Sequence, residues 1–158
     1  EARRTLVDGG VYVNDPVFSA FVEARKHGFD GRDIHVVSLG TGYETRRYRY
    51  EDVRKWGLID WLKPSNATPI LSIMMHGQAS SASYQADKLL NGEADAPRYT
   101  RLDMKLTAPA KDDLDDASPE NLAALEELAR RYLESDAGRA AFDQVVRWLE
   151  WRHREHHG

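Results

Sequence analysis

A carboxylate followed by two glycines, Asp8-Gly9-Gly10, stands where a short β-branched and apolar run, Thr5, Leu6 and Val7, stops. A carboxylate at the end of a strand can point into a cleft, and glycines beside it let a substrate or a facing loop approach closely. To act as a general base for a hydroxyl proton, such a group should be poorly solvated. Asp-Gly is also a common turn dipeptide, so the triplet by itself supports a plain structural reading as well. Two more segments follow it in order: Asn14-Asp15-Pro16, and Ser38-Leu39-Gly40-Thr41-Gly42. Gly9 and Gly10 are geometric rather than chemical. Gly40, Thr41 and Gly42 either simply turn the chain or border the cleft.

A base needs a nucleophile to serve. The arrangement that exposes a serine on a sharp strand-to-helix turn is Gly-x-Ser-x-Gly, with a glycine-rich loop donating amides to the oxyanion. Neither occurs here. Gly77-Gln78-Ala79-Ser80-Ser81 has its serines in the wrong place and no closing glycine, so they read as helix or loop residues. No metal site is expected: His153, His156 and His157 lie in the order His-Arg-Glu-His-His, which lacks the His-Glu-x-x-His spacing and reads as a solvated tail. His27, His35 and His76 are scattered, and there is no cysteine to supply a thiolate.

The elements that must hold these residues follow from periodicity and punctuation. Residues 5–7 read as the end of a buried strand that residues 11–13 extend beyond the turn. Asp15 and Pro16 open a helix carrying Phe18, Phe21 and Val22, stopped by Gly28. Residues 34–39 form the clearest strand, an apolar run too short for a helix. Strand, helix and strand give a βαβ unit and favour a parallel sheet, with Asp8 and Gly40 both at carboxyl ends of strands, where such sheets bind ligands. Residues 43–65 read as a loop with short helices. Residues 69–90 form a long helix, interrupted or kinked near Gly77 and ended by Asn91 and Gly92.

Residues 99–106 alternate as a half-exposed strand near a sheet edge. The acidic stretch 111–117 is a linker or loop. Ser118 and Pro119 then open a helix carrying Leu122, Leu125, Leu128 and Tyr132, and a last helix turns Phe142, Val145, Val146 and Leu149 inward.

The bulk composition sets limits. The 158 residues suffice for one domain or part of one, and 41% hydrophobic with 30% charged residues is the balance of a folded globular chain. A net charge of −4 argues against a general nucleic-acid binder, which needs a basic surface. No apolar run is long enough to span a bilayer. Arg46, Arg47, Tyr48, Arg49 and Tyr50, with Trp56 and Trp61 nearby, form either a packed loop with its arginines in water or a surface that meets lipid. The chain starts at Glu1 and runs almost at once into a strand, which is read as a beginning that has been cut away.

Taken in order and at their spacing, Asp8-Gly9-Gly10, the turn at Asn14 and Ser38-Leu39-Gly40-Thr41-Gly42 resemble the second half of the patatin-like phospholipase family, convincingly over residues 4–106. Asp15 departs from the second asparagine usual there but keeps a capping acceptor. The resemblance implies an α/β fold of three layers, α/β/α, with a mainly parallel sheet of which only the C-terminal part is present. It divides the chain into residues 1–110, the second half of the catalytic domain, and 111–158, a helical segment packed on it.

It also implies a serine acyl hydrolase of the phospholipase A type working through a Ser-Asp dyad without a cofactor. Asp8 matches the aspartate; Gly9, Gly10 and Asn14 match the motif around it. The nucleophile and oxyanion loop would lie in a missing N-terminal half, the chain's expected partner, so that this chain alone would be inactive. A lipid or acyl-ester substrate, peripheral membrane contact and a cytoplasmic or membrane-peripheral location are the accompanying expectations. The alternatives are a non-catalytic binding or scaffold module that keeps the fold, and an unrelated nucleotide-binding α/β domain using Gly40 to Gly42. The latter lacks the lysine and further glycines of a phosphate-binding loop.

Overall fold

Val36–Leu39 forms β1, where two valines suit a pleated, half-buried surface. It pairs in parallel with β2, Tyr99–Leu102, in the register Val36 with Tyr99, Val37 with Thr100, Ser38 with Arg101 and Leu39 with Leu102. The computed structural model describes residues 6–44, 48–62, 69–92, 96–111 and 116–157, with the side chains of 155–157 outside the description. Among the described residues the sheet has these two strands, extended by an isolated parallel bridge between Tyr43 and Lys105. Parallel strands need a long crossover. Here it runs through the short helix α2, Tyr50–Val53, and the 23-residue α3, Pro69–Asn91.

Side chains alternate across a strand, so one face of β1 carries Val36 and Ser38, both buried. The other carries Val37 and Leu39, which are exposed. The buried face packs on α3 and on α1, Val17–Lys26, around a core of Val17, Val36, Ala86, Leu90 and Tyr99. Asn91 locks β2 to the end of α3: its Oδ1 accepts from the amides of Arg98 and Tyr99, and its Nδ2 donates to the Tyr99 carbonyl. The mixed α/β class with a parallel sheet is thus present, built on a crossover between β1 and β2.

Among the described residues the expected first strand is not found. Leu6 and Val7 are exposed and lie outside any strand, and Thr5 is outside the described residues. A strand exists through its ladder to a neighbour, and β1 makes its ladder with β2. Residues 11–13 do not extend a strand either. Gly9–Val11 is a single 3-10 turn, begun by Asp8, whose carboxylate accepts from the Gly10 amide at 2.7 Å. Such a local side-chain acceptor competes directly with sheet pairing.

Asp15 does open α1, its Oδ1 accepting from the Val17 amide at 3.1 Å, and Gly28, at φ 91°, follows its end. α3 runs through Gly77 without interruption. A glycine costs about 1 kcal/mol in a helix interior, too little to break a helix held by packing on both sides of it.

Ser118 caps α4, Pro119–Glu134, through the Asn121 amide. α5, Asp136–His157, pairs with α4 and packs on β2. Its inward stripe is partly shifted from the expected one: Val145 and Val146 are half-buried as expected, Phe142 and Leu149 are exposed, and half-buried Trp148 and the more exposed Trp151 pack against His35, at ring separations of 4.9 and 5.4 Å. With Trp148 at the centre of the contact, Phe142 and Leu149 fall roughly 100° or more round the helix. Leu122 of α4 is likewise exposed.

Candidate active site

The parallel register places Arg101 beside Ser38 on the buried face of the sheet. A guanidinium there would be costly without partners. It has several. Nη1 donates to Asp15 Oδ2 at 2.7 Å and to Ser38 Oγ at 2.6 Å, while Nε and Nη2 donate to Asp103 Oδ2 at 3.0 and 2.8 Å. Burial disfavours the charge on Arg101, but the hydrogen bonds to Asp103 and the charges of Asp103 and Asp15 outweigh it and hold the guanidinium more firmly protonated than usual.

Asp103 also reaches the glycine loop. Its Oδ1 accepts from the Gly42 amide at 3.1 Å and from the Met104 amide at 2.9 Å. The glycines are required there: a Cβ on Gly40 would sit 2.1 Å from Asp103 Cγ, and Gly42, at φ 94°, would place one 2.4 Å from a methyl of Leu106. The expected loop Gly40, Thr41, Gly42 is therefore folded tightly over β2 rather than hanging free.

Asp8, the expected base, lies at an exposed position at the head of its 3-10 turn. The low solvation that base chemistry needs is not provided by the described residues. Gly9 is exposed, and a Cβ on Gly10 would approach the Asp8 carboxylate at 3.2 Å. Asn14 ties the end of this turn to α3 by donating to the Met75 carbonyl at 3.3 Å, and Gln78 of α3 donates to the Val11 carbonyl at 3.1 Å.

A groove of about 750 Å³ runs between the carboxyl end of β1, the Asn14–Asp15 turn and α3. Asn14, Gly40, Thr41 and Gly42 line it; Asp8, Gly9 and Gly10 do not. The structure thus brings the turn and the glycine loop to one side of the molecule and leaves the carboxylate of Asp8 outside the groove. Ser80 and Ser83 of α3 line the groove as helical residues. Among the described residues no cluster of three or more His, Asp or Glu side chains is arranged to hold a metal ion.

Sequence reasoning does not single out Arg101 and Asp103, because residues 99–106 read as a half-exposed strand near a sheet edge, and it names Ser38 only as part of the motif before the glycine loop. The signal was an arginine and an aspartate at alternate positions, hence on one face of the strand, with apolar Leu102 and Met104 on the other. In the aromatic segment Trp56 packs edge-on against Tyr48 and Trp61, while Tyr50, Leu58 and Ile59 are exposed. Arg46 and Arg47 lie outside the described residues.

The class these features define is an α/β chain with a parallel crossover, an Asp-Gly-Gly turn and a tight glycine loop at the end of β1. No family model matches the chain. Curated proteins do. It is 28% identical over 144 residues to patatin-like protein 1 of Arabidopsis thaliana, covering 81% of this chain and 34% of that protein. It is 27% identical over 153 residues to patatin-like protein 2 of the same plant, covering 87% and 37%, and 25% identical over 150 residues to patatin-like protein 2 of Oryza sativa subsp. indica, covering 85% and 37%. These similarities support membership of the patatin-like family. The chain spans about a third of the length of the curated relatives it matches.

Proposed function

We propose that this chain is the aspartate-bearing part of a patatin-like serine acyl hydrolase that cleaves the ester of a phospholipid or another acyl lipid. What supports the reading is the ordered set Asp8-Gly9-Gly10, Asn14 and Gly40-Thr41-Gly42 in a chain with patatin-like relatives, with Asn14 and the glycine loop lining one groove. In this reading a serine outside the chain attacks the acyl carbonyl while Asp8 takes the hydroxyl proton and passes it to the leaving alcohol. An acyl-serine forms. Asp8 then takes a proton from water, which attacks the acyl carbon, and returns it to the serine oxygen as the acyl–oxygen bond breaks, so that the acid and free serine are released.

The serine, the oxyanion amides and the remaining sheet strands belong to the rest of the protein, which would complete the three-layer fold. That portion would cover Leu6, Val7 and the groove, and remove water from Asp8. Residues 111–158 would stay packed on the same domain. Membrane-peripheral work would use the exposed Tyr50, Leu58 and Ile59. Co-sedimentation with anionic vesicles should drop severalfold in a Leu58→Asp, Ile59→Asp variant, and unchanged binding would remove the membrane contact.

A non-catalytic scaffold is the second reading, favoured by the solvent exposure of Asp8 and its single role in the Gly10 turn. Reconstitution with the rest of the protein decides between them. Hydrolysis of a short acyl ester and covalent labelling of that remainder by a fluorophosphonate are expected. A folded complex that neither hydrolyses nor labels is a scaffold.

A further inference from the structure

Asp15 ends the stretch that Asp8 begins. Asp103 holds the loop from Gly40 to Gly42. The two carboxylates belong to segments far apart in the chain, their side chains are 2% and 14% exposed, and one cation joins them. We propose that Arg101 is the positioning residue that fixes the Asp8 turn against the glycine loop; this rests on the hydrolase reading above. Arg101 acts through Asp15 and makes no contact with Asp8.

The geometry needs an arginine. Nη1 faces Asp15 and Ser38, while the edge formed by Nε and Nη2 grips a single oxygen of Asp103. A planar guanidinium with fixed donors can serve both sides at once. A lysine carries one point charge and can satisfy one side, leaving the other carboxylate buried beside it. The frame has further anchors that do not depend on Arg101: Asn14 and Gln78 tie the turn to α3, and the Met104 amide holds Asp103. Removing the cation should therefore shift the turn relative to the loop without releasing either.

The experiment is a kinetic and exchange comparison in the full-length enzyme that the proposed function requires. Arg101→Lys is one variant. The second is Arg101→Met combined with Asp15→Asn, which removes the more buried of the two carboxylates that the methionine would orphan, while Asp103 keeps the Gly42 and Met104 amides. A displacement of about 1 Å in the reacting groups can cost on the order of 100-fold in rate. The double variant should melt close to wild type, with kcat down about 100-fold and KM within about threefold. Arg101→Lys should lose about tenfold in kcat, and the amides of Gly10 and Gly42 should exchange faster in both.

Wild-type kcat in either folded variant, or wild-type exchange at those two amides, would overturn the positioning role. Asp8→Asn is the control for the reading beneath it. If that variant keeps activity the base assignment fails, whereas the exchange of Gly10 and Gly42 still decides for or against Arg101.

Discussion

A methyl group at Gly40 has nowhere to go, because Asp103 already fills the position where the Cβ would stand. Alanine there must push the carboxylate away from Arg101 and the Gly42 amide. At Gly42 the obstacle is double, a left-handed backbone and the buried Leu106. Gly40→Ala and Gly42→Ala should each cost about 1–3 kcal/mol of stability. Gly9→Ala, with open space around it, should stay within about 0.5 kcal/mol. Denaturant midpoints at constant slope measure all three, and a neutral Gly40→Ala would contradict the close packing described.

The two roles of Asp15 show what can be read at this scale. Its helix-opening bond to Val17 is local, and the Asp-Pro pair announces it. Its bond to Arg101 spans 86 residues and depends on the register of β2 against β1, which no local pattern encodes.

At the scale of elements, patterns that end in strong local signals transferred well to the fold. β1 stops at a glycine loop, α3 at Asn91, and α4 starts at Ser118 with Pro119. The first strand failed because strands are completed by neighbours, and Asp8 offers its own turn a hydrogen bond instead. The inward stripe of α5 was met only in part for a related reason: its stripe of apolar residues is wide, and the docking partner His35 selects which part faces inward.

This contact makes a prediction about pH. Burial lowers the His35 pKa from its ordinary 6.5, helped by the charge of Arg98 and opposed by the Asp33 backbone hydrogen bond and carboxylate. The unfolded chain then binds the proton more readily than the folded one. The contribution is complete above about pH 6.5 and is lost as pH falls through the folded value. Lowering the pH from 7.5 to 5.5 should loosen α5 and change Trp148 and Trp151 emission. A His35→Phe variant should show a smaller fall in melting temperature over the same interval. An equal fall in both proteins would remove His35 as the cause.

At the scale of the whole molecule, several large apolar side chains among the described residues face solvent: Leu6, Leu39 and Leu58 are 87, 75 and 80% exposed. Such a surface is a poor one for an isolated soluble monomer, and among the described residues the two strands leave sheet edges without a further neighbour, which adds to it. Expressed by itself, residues 1–158 should aggregate or melt without a sharp transition, and addition of the proposed partner portion should rescue it. A monomer on size exclusion with a sharp cooperative melt would show that the chain folds independently.

The central claim is that Asp8 is the base of a serine hydrolase. It is tested most directly by kcat/KM for a short acyl ester in the full-length protein, comparing wild type with Asp8→Asn. Asparagine keeps the shape of the side chain and its bond to the Gly10 amide, but it accepts no proton. The predicted result is a correctly melting variant whose kcat/KM is lower by a factor on the order of 10⁴. A folded Asp8→Asn protein that keeps most of its activity would contradict the account.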